Sequence, residues 1–155
     1  MKRVKLRLEI TPDGEEEVII RCRSLNDTVR RLENAVAEIA GTSAEIKLTL
    51  AGEDHFVNYG RILFFETVPG KTAAHTAEGM YYTEYKLYEL EKLLPPSFVR
   101  ISKSGIVNSA LVSSIAKNLT GASEIRFRGC TKKTYVSRSY YRNLIHVIEE
   151  TRLLK

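Results

Sequence analysis

Between residues 44 and 137 the chain offers little room for a long helix. Its apolar residues come in short runs broken by Gly, Pro, Asp and Asn, and this constrains the fold more than any other feature. Strands are predicted at Glu45–Leu50, His55–Tyr59, Ile62–Glu66, Phe98–Ile101, Ile106–Val107, Ser113–Ile115, Glu124–Arg128 and Lys133–Val136. Thr72–Thr76 and Met80–Thr83 read as a hairpin around Ala77-Glu-Gly79, and Val68-Pro-Gly-Lys71 as a turn. A short helix over Tyr85–Leu94 stops at Pro95-Pro96, which cannot continue it. A longer helix runs from Arg138 to about Leu153, with Tyr141, Leu144, Ile145 and Ile148 on one side.

The first 50 residues read differently. Val4, Leu6, Leu8 and Ile10 alternate with Lys5, Arg7 and Glu9, the period of a half-buried strand over residues 2–10. Thr11-Pro-Asp-Gly14 is a turn signal, and Val18–Arg23 reads as a second strand. A helix follows, with Ser24 as its candidate N-cap, Leu25, Val29, Leu32, Val36 and Ile39 as its apolar stripe, and Gly41 just past its end. That stripe either covers the strands of its own chain or forms a seam with a second copy. The expected architecture is therefore mainly β over residues 51–155, preceded over residues 1–50 by a small α+β (β-β-α) extension.

Charge separates the same two parts. Residues 1–55 carry a net −2 and residues 56–155 a net +7, within an overall +5. A basic module with a neutral or acidic attachment suits a polyanion partner. No apolar run approaches the ~20 residues that span a bilayer, and no apolar block follows the N-terminus, so a cytoplasmic protein without lipid insertion is expected. Cys22 and Cys130 do not form a Cys-x-x-Cys pair, and His55, His75 and His146 have no ligand-type neighbour at helical spacing. Gly-x-Ser-x-Gly, phosphate-loop and dinucleotide fingerprints are missing. Neither metal, cofactor nor enzymatic chemistry is expected.

The polar side chains that remain are of the types that contact nucleic acids. Arg100, Ser102, Lys103 and Ser104 stand in Phe98-Val-Arg-Ile-Ser-Lys-Ser-Gly105. In a continuous strand Lys103 would share the apolar face of Val99 and Ile101. The conflict goes away if the strand ends near Ser102 and residues 102–105 form an exposed loop. Ser137, Arg138 and Ser139 open the last helix, where free N–H groups favour a phosphate. Arg138 placed there opposes the helix dipole, which points to a use elsewhere. Lys71, Lys132 and Lys133 occupy turns.

Taken in order, Ile62-Leu-Phe-Phe-Glu66, Gly70-Lys71, Tyr85-Lys-Leu-Tyr-Glu-Leu-Glu91, Phe98–Ser104, Ile106-Val-Asn108 and Tyr135-Val-Ser-Arg-Ser-Tyr140 resemble the LytTR DNA-binding domain of bacterial transcription regulators. The resemblance spans residues from about 56 to 150. It implies an elongated β-sheet domain with short helices, whose loops enter the major groove of double-stranded DNA. It maps those loops to Lys71, to Ser102-Lys103-Ser104 and to Ser137-Arg138-Ser139. Members vary at these positions, His or Asn standing where this chain has Lys71 or Lys103, which leaves the base preference open. It further implies a stand-alone regulator without a receiver domain, acting as a homodimer, with a small membrane protein as a possible restraining partner. The rival readings are a single-stranded RNA binder stacking bases on Tyr81, Tyr82 and Tyr135, and a module whose basic surface serves an acidic protein.

Overall fold

The structure, a computed structural model, describes residues 4–40 and 45–153. Helix α1 (Asp27–Ala40) is followed by β1 (Glu45–Leu50), β2 (Glu53–Asn58), β3 (Ile62–Val68), β4 (Lys71–Thr76) and β5 (Met80–Thr83). Then come α2 (Leu87–Leu93), β6 (Phe98–Ser102), β7 (Gly105–Asn108), β8 (Val112–Ala116), β9 (Ser123–Phe127), β10 (Lys133–Val136) and α3 (Arg138–Leu153). Every strand predicted after residue 44 is present. The strands form a seven-stranded antiparallel sheet, order β2-β1-β5-β4-β3-β7-β6, and a three-stranded antiparallel sheet, order β10-β9-β8.

Both faces of the large sheet are covered, and each cover has its own core. Against α2 lie Ile46, Leu48, Val57, Ile62, Phe65, Ala74 and Ile106, with Leu87, Leu90 and Leu94. On the other face Leu63, Phe64, Val99, Ile101 and Val107 meet Ile125 and Phe127 of the small sheet and Leu144 of α3. Phe64 and Phe127 stack with centroids 5.7 Å apart across this junction. A register shift between Ile62 and Phe64 breaks the strict alternation of β3. Ile62 and Phe65 thereby reach one core while Leu63 and Phe64 reach the other. The apolar run of β3 is thus a strand buried on both faces. Buried Asn108 closes the end of β7 by donating from Nδ2 to the Ile62 carbonyl, 3.1 Å away.

The N-terminal stretch departs from expectation. Neither residues 4–10 nor residues 18–23 form a strand, so the β-β-α extension is reduced to its helix among the described residues. Val4, Leu6, Leu8 and Ile10 are 62–99% exposed, because among the described residues none offers their apolar edge a surface or a pairing strand. The Thr11–Gly14 turn does form, Gly14 N donating to the Thr11 carbonyl at 3.1 Å. Asn26, not Ser24, caps α1: its Oδ1 accepts from Val29 N at 3.0 Å. Gly41 lies outside the described residues. β1, expected just before the boundary at residue 50, pairs with both β2 and β5 and so belongs to the large sheet.

Candidate nucleic-acid interface

Four connections meet at one end of the molecule. β3 runs to this end at Val68 and β4 leaves it at Lys71, the two paired across Pro69-Gly70. Gly70 has φ +76°, a left-handed turn conformation that suits glycine. β6 arrives at Ser102 and β7 departs at Gly105, the two again paired. Glu66 faces Gly105, which sets the two turns side by side, and Thr67 N donates to the Ser104 carbonyl at 2.9 Å. The third connection is Ser137, whose N–H donates to the Ile101 carbonyl at 2.9 Å and so docks the start of α3 against the end of β6. The fourth is the loop of residues 117–122. Because Ser123 pairs with Val136, this loop emerges beside the start of α3. Gly121 and Ala122 share a shallow depression with Ser137, Arg138 and Ser139.

The cations at this end are presented in different ways. Lys103 occupies an exposed two-residue turn, with β6 ending at Ser102 as the burial argument requires. Arg138 is exposed at the first position of α3. Among the described residues no carboxylate pairs with either. Lys71 is also exposed, and its Nζ lies 3.8 Å from the centroid of the Tyr82 ring, which holds the ammonium near the turn. Ser102 and Ser104 shape the second tip: Ser104 N donates to Ser102 Oγ at 3.1 Å, and the two hydroxyls are 3.3 Å apart. Ser137 and Ser139 bring their hydroxyls to 3.4 Å at the head of α3.

Arg100 plays a different part from the one its neighbours suggest. Its Nε donates to the Ser102 carbonyl and its Nη2 to the Lys103 carbonyl, both at 2.6 Å. Its Nη1 pairs with Glu91 of α2 at 3.0 Å. The guanidinium therefore binds the backbone of the Lys103 turn from inside and has little left for a ligand. Lys132 and Lys133 lie apart from the cluster, where β10 begins at the opposite end of the small sheet. Lys132 Nζ donates to the Gly79 carbonyl of the β4–β5 turn at 2.7 Å, tying the two sheets together. Lys133 pairs with Glu124 at 3.5 Å.

Lys117 and Asn118 went unnoticed in the sequence, although Lys117-Asn-Leu-Thr-Gly121 is a polar, glycine-containing stretch between two strands. Asn118 Oδ1 accepts from both the backbone and the hydroxyl of Thr120, 3.1 Å each, and Asn118 N donates to buried Ser123. The loop thus has a set shape. Exposed Lys117 projects from it, its ammonium 5.2 Å from the Tyr141 ring centroid.

This end of the antiparallel β scaffold thus presents exposed cations on neighbouring connections, two at hairpin turns and one at the head of α3. Comparison with known proteins identifies which scaffold it is. Residues 52–149 match the LytTr DNA-binding domain, and the chain belongs to that family. It is 31% identical over 146 residues to a Staphylococcus aureus (strain NCTC 8325) protein described as an uncharacterised HTH-type transcriptional regulator. That alignment covers 91% of this chain and 95% of the relative. A similarly described protein of strain MRSA252 is 30% identical over the same shares. The fold resembles the LytTr domain of a Bacillus cereus protein described as a methyl-accepting/DNA response regulator, with TM-score 0.62 and 24% identity. This match covers 68% of this chain and 96% of that one. Strands β1–β5 separate α1 from α2 and β6–β10 separate α2 from α3, so the described residues form no helix-turn-helix.

Proposed function

We propose that this protein is a transcriptional regulator that binds double-stranded DNA sequence-specifically, inserting the tips carrying Lys71, Lys103 and Arg138 into the major groove. It acts in the cytoplasm as a homodimer on repeated half-sites. The observation that carries this reading is the convergence of three separate connections on one end, held together by the Thr67–Ser104 and Ser137–Ile101 backbone bonds. Lys103 and Arg138 supply base-edge contacts, and Ser102, Ser104, Ser137, Ser139 and the first N–H groups of α3 hold phosphates. Lys117 adds a phosphate contact beside Arg138.

A single-stranded RNA reading fits less well. Tyr81 packs against the core on the α2 side and Tyr82 lies beneath Lys71, while Tyr135 is half exposed on the small sheet. They do not make one stacking platform.

The test is a gel shift on a specific duplex with Lys103→Ala and Arg138→Ala, beside circular dichroism melts. Both variants are expected to melt like the parent and to lose specific binding. Unchanged shifts for both would refute the site. Neutralising about five phosphates gives a log–log salt slope of roughly −4.5, and a flat dependence would rule out a phosphate-dominated contact.

A further inference from the structure

Leu119 is the most exposed of the large apolar side chains described after residue 44, at 79%. A lone exposed leucine is ordinary on a protein surface. This one stands at the apex of a loop with a fixed shape. β8 and β9 pair as far as Ala116 and Glu124, and residues 117–122 project beyond that pair. Asn118 Oδ1 accepts from both the N–H and the hydroxyl of Thr120, so the chain turns at the residue between them, which is Leu119. The base of the loop is pinned by Asn118 N, which donates to Oγ of buried Ser123 at 3.0 Å. Leu119 joins neither core.

The place of the loop selects what meets its apex. Gly121 and Ala122 border the depression that they share with Ser137, Arg138 and Ser139. At the other end of the loop, Lys117 Nζ lies 5.2 Å from the ring centroid of Tyr141, in the first turn of α3. The loop thus runs beside the head of α3, with an exposed cation of its own and exposed Arg138 across the depression. Phosphates along a duplex suit the two cations. The apolar group that a base edge offers in the major groove is the thymine 5-methyl. A loop that already holds its shape meets it with little loss of freedom. We propose that residues 117–122 form a further base-reading tip, in which Leu119 packs on a thymine methyl in the major groove next to the base that Arg138 reaches, with Lys117 on the adjoining phosphate. This rests on the duplex reading of Arg138, and it gives the operator a thymine preference at one position.

A duplex that the full parent chain retains from a random pool supplies the probe. Uracil in place of thymine, one position at a time, removes a single methyl group from it. At one position the parent is expected to lose roughly fourfold in affinity, the worth of one buried methyl. Leu119→Ala is expected to keep the parent's melting temperature and to bind the thymine and uracil forms of that duplex equally. Its salt slope is expected to match the parent's, since an apolar contact releases no counter-ions. A parent indifferent to uracil at every position would overturn the proposal. So would a Leu119→Ala chain that still discriminates between the two forms, whether or not its affinity for both has fallen. In either case specific binding that depends on Arg138 leaves the DNA reading standing and removes only this tip. A parent that retains no duplex refutes the DNA reading and the tip with it.

Discussion

Arg100→Leu tests whether Arg100 shapes the proposed recognition end or touches DNA itself. In the parent the guanidinium donates to two carbonyls of the Lys103 turn at 2.6 Å and is 21% exposed. Hydrogen bonds from a charged group contribute about 1.5–3 kcal/mol each, and the partial exposure argues for the lower end, giving a loss of roughly 3 kcal/mol. The Glu91 pair, whose carboxylate is 42% exposed, adds little. At ~2–4 °C per kcal/mol for a chain of this size, the melting temperature falls by roughly 6–12 °C. Leucine keeps the aliphatic volume on the α2 side, so the loss reports the brace and not a cavity. Duplex affinity falls because the turn loosens, but the number of neutralised phosphates does not, so the salt slope stays at the parent value. Lys103→Ala is the contrast: its melt is unchanged, and its affinity falls for the specific duplex far more than for an unrelated one, as a base-edge contact requires. Thermal melts and fluorescence-anisotropy titrations at several salt concentrations read both quantities. An Arg100→Leu chain with the parent melting temperature and a shallower slope would refute the argument, because it would make Arg100 a phosphate ligand.

Two further perturbations probe other parts of the molecule. Burial holds the His75 imidazole below its ordinary value; Glu66 at 2.7 Å pulls the other way and Lys132 reinforces burial. The unfolded chain then takes up a proton that the folded chain resists. Stability is accordingly whole above about pH 6.5 and declines as the pH falls below it, by at most ~1.4 kcal/mol per pH unit. Urea midpoints at pH 7.5 and 5.5 are expected to show that decline in the parent and a smaller one in His75→Phe; a parent more stable at pH 5.5 would mean that the Glu66 ion pair prevails. Lys117→Ala is expected to leave the melt unchanged and make the salt slope shallower by ~0.9, and an unaltered slope would remove the 117–122 loop from the duplex.

The strands after residue 44 were legible because their apolar periods are short and glycine or proline marks their ends. The Lys103 turn was legible for a sharper reason: a lysine in register with Val99 and Ile101 is tolerable only if the strand has already stopped, and it stops at Ser102. What could not be read was spatial. Arg100 and Lys103 look alike in sequence, and only the turn geometry shows that one binds the backbone of the other. Lys132 and Lys133 resemble the tip cations in composition, yet the course of β10 carries them to the far end. Lys117 was missed for the converse reason, since only the Ser123–Val136 pairing brings its loop beside Arg138. At the N-terminus the alternation of residues 2–10 predicts a half-buried strand, but residues 4–10 form none, since among the described residues no surface covers their apolar edge.

The braces behind the tips have a consequence for how such a protein changes over time. Thr67, Ile101, Ser104 and Ser137 join the connections through main-chain atoms, which nearly any side chain supplies equally well. Replacing Lys71, Lys103 or Arg138 therefore disturbs neither core, and under the proposed DNA reading a lineage built on this frame is free to trade one operator for another while its packing stays under unbroken selection.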